Sequence, residues 1–239
     1  MLKSLQKLAE YQPLEEFRPL QITFQMASPI CLAHPWIAFD GLLAHLLLRK
    51  LLGDEYRAFP SKSPVDISGL KLPIKHYKSI QGSFYHASSS VIKNNDYYAT
   101  KIYKRFHERD VHFTKSTTKR ISKASGHFKD FMISLLYIPT EEVEFFVNGN
   151  KQEIKELLQG LPGIGKKTDI GFGFYKSVNI EEIEQDRSLI SEGKAMRPLP
   201  KWILSKHQEL AYLAYSFPYW DRKKVALCAP PGTEVRIRG

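Results

Sequence analysis

The sequence predicts an α+β fold in which helices cover one face of an antiparallel sheet. Three observations predict it: segments of alternating polarity, two segments of helical periodicity set among them, and the order strand, helix, strands, helix, strand along the chain. With 239 residues, 43% of them apolar, the chain is long enough to bury one sizeable core or two small ones.

The first strand falls at residues 20–27 (LQITFQMA), where Ile22, Phe24 and Met26 alternate with Gln21, Thr23 and Gln25, so that one face is core. Asp40 then suits an N-cap for GLLAHLLLRKLLG, whose leucines recur at helical spacing and whose end is marked by Lys50 and Gly53. Residues 69–76 can hold a short strand. From Tyr77 to about Asp130 the chain turns polar, basic and aromatic with serine runs, which reads as an insertion outside the core.

Regularity returns at residues 130–137 (DFMISLLY) and 141–148 (EEVEFFVN), expected to be two adjacent strands. Residues 151–161 form a short amphipathic helix, and residues 174–183 a final strand. This is the split βαβ, ferredoxin-like (RRM-like) order. It predicts a domain over residues 1–184 with a basic insertion at about 77–130. A docked, irregular extension follows over 185–239, where Pro198, Pro200, Pro218, Pro230 and Pro231 interrupt any long element.

Lys and Arg number 35 against 25 acidic residues, a net charge of +10 concentrated in a few stretches, and the natural partner of such a surface is a polyanion. Cys31 and Cys228 are the two cysteines, and without CxxC spacing they start no zinc site. A reducing, cytoplasmic setting is expected, with no membrane partner, because the longest apolar run, residues 42–48, is broken by His45 and ends at Arg49-Lys50.

The most informative segment is LPGIGKKTDIGFGFY, residues 161–175. Gly163, Gly165, Gly171 and Gly173 permit close backbone approach, and Lys166 and Lys167 supply charge, which together make a phosphate cradle from Gly163 to Gly173 that includes Thr168 and Phe172. A glycine turn needed only for tight packing is the competing reading. Gly160, Gly165 and Lys166 have P-loop spacing, but Lys167 stands where the metal-binding hydroxyl belongs. LPGIGKKT also resembles the hairpin of helix-hairpin-helix DNA-binding modules, which require a second helix after the lysines.

A second stretch, residues 101–129, carries Lys101, Lys104, Arg105, Arg109, Lys115, Lys119, Arg120, Lys123 and Lys129 against Glu108 and Asp110, with Tyr103, Phe106, Phe113 and Phe128 interleaved and His127 at its end. Cations for phosphates and rings for bases occur together there. His107, Glu108 and His112 have the wrong spacing for a zinc helix. His34, His45, His127 and Tyr77 are conceivable ribonuclease groups, but none sits in a motif, so no enzyme, metal or cofactor is assigned.

The glycine loop, lying between the last helix and the last strand, resembles that of the RAMP superfamily of CRISPR-associated proteins. SPICLAHPWIAFDGLLAHLLLR, SGHFKDFMISLLYIP, VEFFVNGNKQEIKELL and KAMRPLPKW are similar to the RAMP subunit that caps the five-prime handle of the guide RNA in class 1 complexes of type IV or type VII. The resemblance implies a RAMP fold with the basic stretch as an inserted thumb, a non-catalytic RNA-binding role, guide RNA (crRNA) and backbone RAMP subunits as partners, and target nucleic acid as an indirect one. An endoribonuclease that processes precursor crRNA is the alternative within the superfamily, and a helix-hairpin-helix DNA-binding module the alternative outside it.

Overall fold

A computed structural model describes residues 8, 10–58, 67, 69–93, 96–107, 122–126 and 128–238. The central sheet has three strands in the order β6 (Glu142–Gly149), β1 (Arg18–Met26), β7 (Tyr175–Glu182), with β1 antiparallel to both neighbours. Residues 86–91 lie along the free edge of β6, where Ala87 bridges Val147 and Val91 bridges Glu144.

Helix α1 (Phe39–Leu52) connects β1 to that outer segment, and α2 (Lys151–Leu158) connects β6 to β7. Both helices pack on one face: Leu20, Ile22 and Phe24 of β1 and Val143, Phe145 and Val147 of β6 share a buried core with Phe39, Leu43 and Leu47 of α1 and Ile154 of α2. The period-2 and period-3.6 apolar patterns in the sequence are these contacts. Asn150 caps α2 by accepting from the Glu153 amide at 3.0 Å. Among the described residues no helix is long and apolar enough to cross a membrane.

Asp40 does not cap α1. The N-cap is Ala38, and Asp40 is fully buried in the first turn, where its carboxylate meets the Arg197 guanidinium at 3.1 Å and accepts from the Tyr219 hydroxyl at 2.6 Å. Arg197 is itself buried and donates to the carbonyls of Tyr85, Ala87 and Tyr215. A buried carboxylate needs such a partner, and here the partner comes from the C-terminal extension.

The expected insertion starts later than residue 77. Strands β2 (His76–Ser79) and β3 (Gly82–Tyr85) form a hairpin that buries Phe84 and Tyr85, and Ser88 and Ser89 are buried beside β6. The hydroxyls that suggested a loop serve the backbone instead, since Ser88 Oγ accepts from the Phe146 amide and Ser90 Oγ from the Ile37 amide. The inserted element is β4 (Tyr98–Lys104) paired with β5 (Phe131–Tyr137). β5 therefore does not pair with β6 as expected from their proximity in sequence, because β1 and residues 86–91 occupy both edges of β6.

The extension is more regular than its prolines suggested. Strands β8 (Ile190–Ser191) and β9 (Lys194–Ala195) pair with each other, as do β11 (Leu204–His207) and β14 (Val235–Ile237). β13 (Val225–Ala229) lies between β10 (Leu199–Pro200) and β12 (Ala211–Ala214). Together they bury a second core of Leu199, Leu204, Tyr215, Cys228 and Val235, into which β3 contributes Phe84.

Candidate nucleic-acid interface

Residues 161–174 run from the end of α2 to the start of β7 and are knitted to residues 27–31. The amide of Lys166 donates to the Cys31 carbonyl at 2.7 Å, that of Gly173 to the Pro29 carbonyl at 2.8 Å, and those of Ala27 and Ser28 to the Phe174 carbonyl. The loop closes on itself where Ile164 donates to Gly173 at 2.9 Å.

This packing explains most of the glycines. A Cβ on Gly173 would lie 1.9 Å from the Ile164 carbonyl oxygen, one on Gly165 would lie 2.6 Å from the Cys31 carbonyl oxygen, and one on Gly163 would lie 2.8 Å from the Gly173 carbonyl oxygen. Gly171 differs, since its φ of +104° favours glycine but open space surrounds it.

What the loop offers outward is charge. Lys166 is exposed, Lys167 has φ +65° at the turn, and a single 3-10 turn over Thr168–Ile170 follows, whose first amides donate to no backbone carbonyl among the described residues. No second helix follows Thr168; the chain enters β7, which excludes the helix-hairpin-helix reading and, equally, a P-loop.

The β4–β5 hairpin is joined to the same place. Ile30 bridges Ile138, and the Cys31 thiol donates to the Leu136 carbonyl at 2.9 Å. Burial raises that thiol above its ordinary pKa while Lys167 and Lys166 pull it the other way. Tyr98 and Tyr137 stack across the hairpin root at 5.9 Å, and Tyr137 meets Phe172 of the loop, also at 5.9 Å. Residues 29–31 and this aromatic row thus couple loop and hairpin, an arrangement that sequence spacing alone did not disclose.

Lys101, Lys104, Arg105 and Lys123 are exposed on or beside the hairpin, with Lys104 Nζ 5.8 Å from the centre of the Phe131 ring. Phe113, Lys115, Lys119, Arg120 and His127 lie outside the described residues. Exposed apolar side chains share the hairpin: Tyr103, Met132 and Leu136 are each more than half exposed. The open face of the central sheet is different in kind, carrying Gln21, Thr23, Gln25, Glu142, Glu144 and Asn179, with Phe146 of the same face buried.

Among the described residues, the conceivable ribonuclease groups His34, His45 and Tyr77 do not form a constellation. His45 hydrogen-bonds Tyr56 at 2.7 Å inside α1's packing, Tyr77 stacks on Phe84, and His34 is exposed in the loop after β1. Among the described residues no group of three His, Cys, Asp or Glu is placed to hold a metal.

A comparison with curated proteins gives no match. Among solved structures, one from the cryo-EM structure of the type III-B Cmr-beta complex bound to cognate target RNA matches with a TM-score of 0.38 and 9% identity, over 76% of this chain and 64% of the other. The model of the CRISPR type IV associated protein Csf3 family matches residues 18–231, which span the sheet, the hairpin, the glycine loop and nearly all of the extension. The chain therefore belongs to the CRISPR type IV associated protein Csf3 family.

Proposed function

We propose that this protein is a non-catalytic subunit that holds the five-prime handle of the guide RNA in a class 1 CRISPR ribonucleoprotein. The observation that carries the reading is the coupling of two basic elements, glycine loop and hairpin, through residues 29–31 and the Tyr98, Tyr137, Phe172 row. Lys166 and Lys167 meet phosphates, and the amides of Lys167 and Thr168 add donors beside them.

The central sheet is read as ferredoxin-like. β1–α1–residues 86–91 and β6–α2–β7 are two interleaved βαβ units, which supports a domain to about residue 184 followed by the extension. The hairpin serves as the thumb, its exposed Tyr103, Met132 and Leu136 suiting contact with RNA bases and a neighbouring backbone RAMP subunit. Target nucleic acid is then reached through the guide.

The test is a salt titration of repeat-RNA binding by Lys166→Ala with Lys167→Ala. Losing two phosphate contacts flattens the logarithmic salt slope by about 1.4 for single strands. A folded variant with an unchanged slope removes the loop from the interface. Incubation of the parent with repeat RNA leaves it intact; specific cleavage would make the protein an endoribonuclease instead.

A further inference from the structure

A cleft of about 670 Å³ lies between the outer sheet edge at residues 89–92, the Pro35-Trp36 turn and the β8–β9 hairpin of the extension. Its lining combines three features. Tyr97, 54% exposed, and the half-buried Trp36 supply aromatic surface, with Phe146 buried beneath. Arg187 and Lys194 are exposed at it, and neither pairs with a carboxylate among the described residues. Ser89 Oγ is buried there with no hydrogen-bond partner, and the Glu144 carboxylate, whose Oε1 accepts from Gln21 at 3.0 Å, lines the cleft as well. Cations, rings and unmatched polar atoms are the requirements of a nucleotide: phosphate, base face and base edge.

A second hollow of about 710 Å³, lined by residues 26–29 and 139–142 and by Lys93, adjoins the glycine loop through the Ala27 and Gly173 hydrogen bonds. Its Lys93 pairs with Glu142 at 3.0 Å and lies 3.9 Å from Glu144 of the cleft, which sets the two hollows near each other. Tyr97 precedes Tyr98, and consecutive residues of an extended chain point to opposite sides. The hairpin root thereby offers one ring to the glycine loop's aromatic row and the other to the cleft.

We propose that the cleft receives one splayed base of the single strand held by the glycine loop, a base carrying an exocyclic amino group. The inference rests on the RNA-binding reading above. The base lies against Tyr97 and Trp36, its amino group donates to the Glu144 carboxylate, and Arg187 and Lys194 meet the phosphate. Carboxylates in a groove for a polyanion repel phosphate but accept from the amino groups of cytosine or adenine, which uracil lacks.

The experiment measures anisotropy of labelled oligo(C) and oligo(U) hexamers with the full chain. The parent binds oligo(C) about tenfold more tightly than oligo(U), a preference that Glu144→Ala removes because no acceptor is left for the amino group. Tyr97→Ala, a change at an exposed ring, weakens oligo(C) about tenfold. Arg187→Ala with Lys194→Ala flattens the salt slope by about 1.4. If Tyr97→Ala binds as the parent does while Lys166→Ala with Lys167→Ala is weakened, the cleft is wrong and the loop stands. No preference in the parent overturns the assigned class of base. A parent that binds neither RNA overturns cleft and loop together.

Discussion

The glycine loop and the β4–β5 hairpin are both basic and touch each other, yet they are held in opposite ways. The loop spends its backbone on the fold: the amides of Ile164, Lys166 and Gly173 are engaged, and three of its glycines stand where a Cβ would strike a carbonyl. The hairpin has two strands, exposed side chains on both faces, and, among the described residues, ties to the body only at its root. A basic loop can thus be part of the core's architecture, so substitutions in it report on folding first and binding second, whereas the hairpin reports on binding almost alone.

Glycine substitutions break this comparison most sharply. Gly173→Ala places a methyl against the Ile164 carbonyl oxygen at a φ of +72° and is expected to cost about 4 kcal/mol or more, read as loss of a cooperative urea transition. Gly171→Ala, with φ +104° but open space, is expected to cost only about 1 kcal/mol. Equal losses at the two positions would mean that backbone conformation, not packing, sets the cost.

The Lys166→Ala, Lys167→Ala pair sharpens it from the other side. Lys166 is exposed and Lys167 half-buried at the turn, so stability should stay within about 1 kcal/mol of the parent while the salt slope of RNA binding falls. A drop in thermal stability would place the lysines within the loop's architecture as well.

The smallest expected effect concerns pH and the seam between the two cores. His76 stacks on Tyr85 at 4.4 Å, and burial, with Lys78, Lys224 and His86 nearby, holds its pKa down at about 4. The unfolded chain binds this proton near 6.5 and the folded chain only near 4. Stability from the neutral ring is therefore present above about pH 6.5 and is lost as pH falls toward 4. His76→Phe keeps the stacking and should flatten that part of the stability profile; an unaltered profile would assign the pH dependence to other groups.

Much of the sheet was legible because its residues obey one period. β1, α1, α2 and β7 alternate or recur as the sequence reading expects. Residues 86–91 were not legible, since Ser88, Ser89 and Ser90 have the composition of a loop and become sheet edge only by bonding across to β6 and residue 37. Asp40 misled for a similar reason: a carboxylate before a leucine-rich run reads as a cap unless its partner, Arg197, is visible 157 positions away. The extension's strands span two to five residues, too short for periodicity to show. The purpose of the glycines was hidden as well, because a residue required by packing and one required by a ligand leave the same letter in the sequence.

The most direct test of the account replaces residues 102–133 with a short glycine-serine turn, keeping the Lys101–Ser134 pair and the root that bonds to residues 30–31. The variant is predicted to unfold in a single transition close to the parent's, because shortening a loop changes little free energy, and to lose repeat-RNA affinity by at least tenfold. A variant that binds repeat RNA as the parent does would show that the hairpin takes no part in holding the guide.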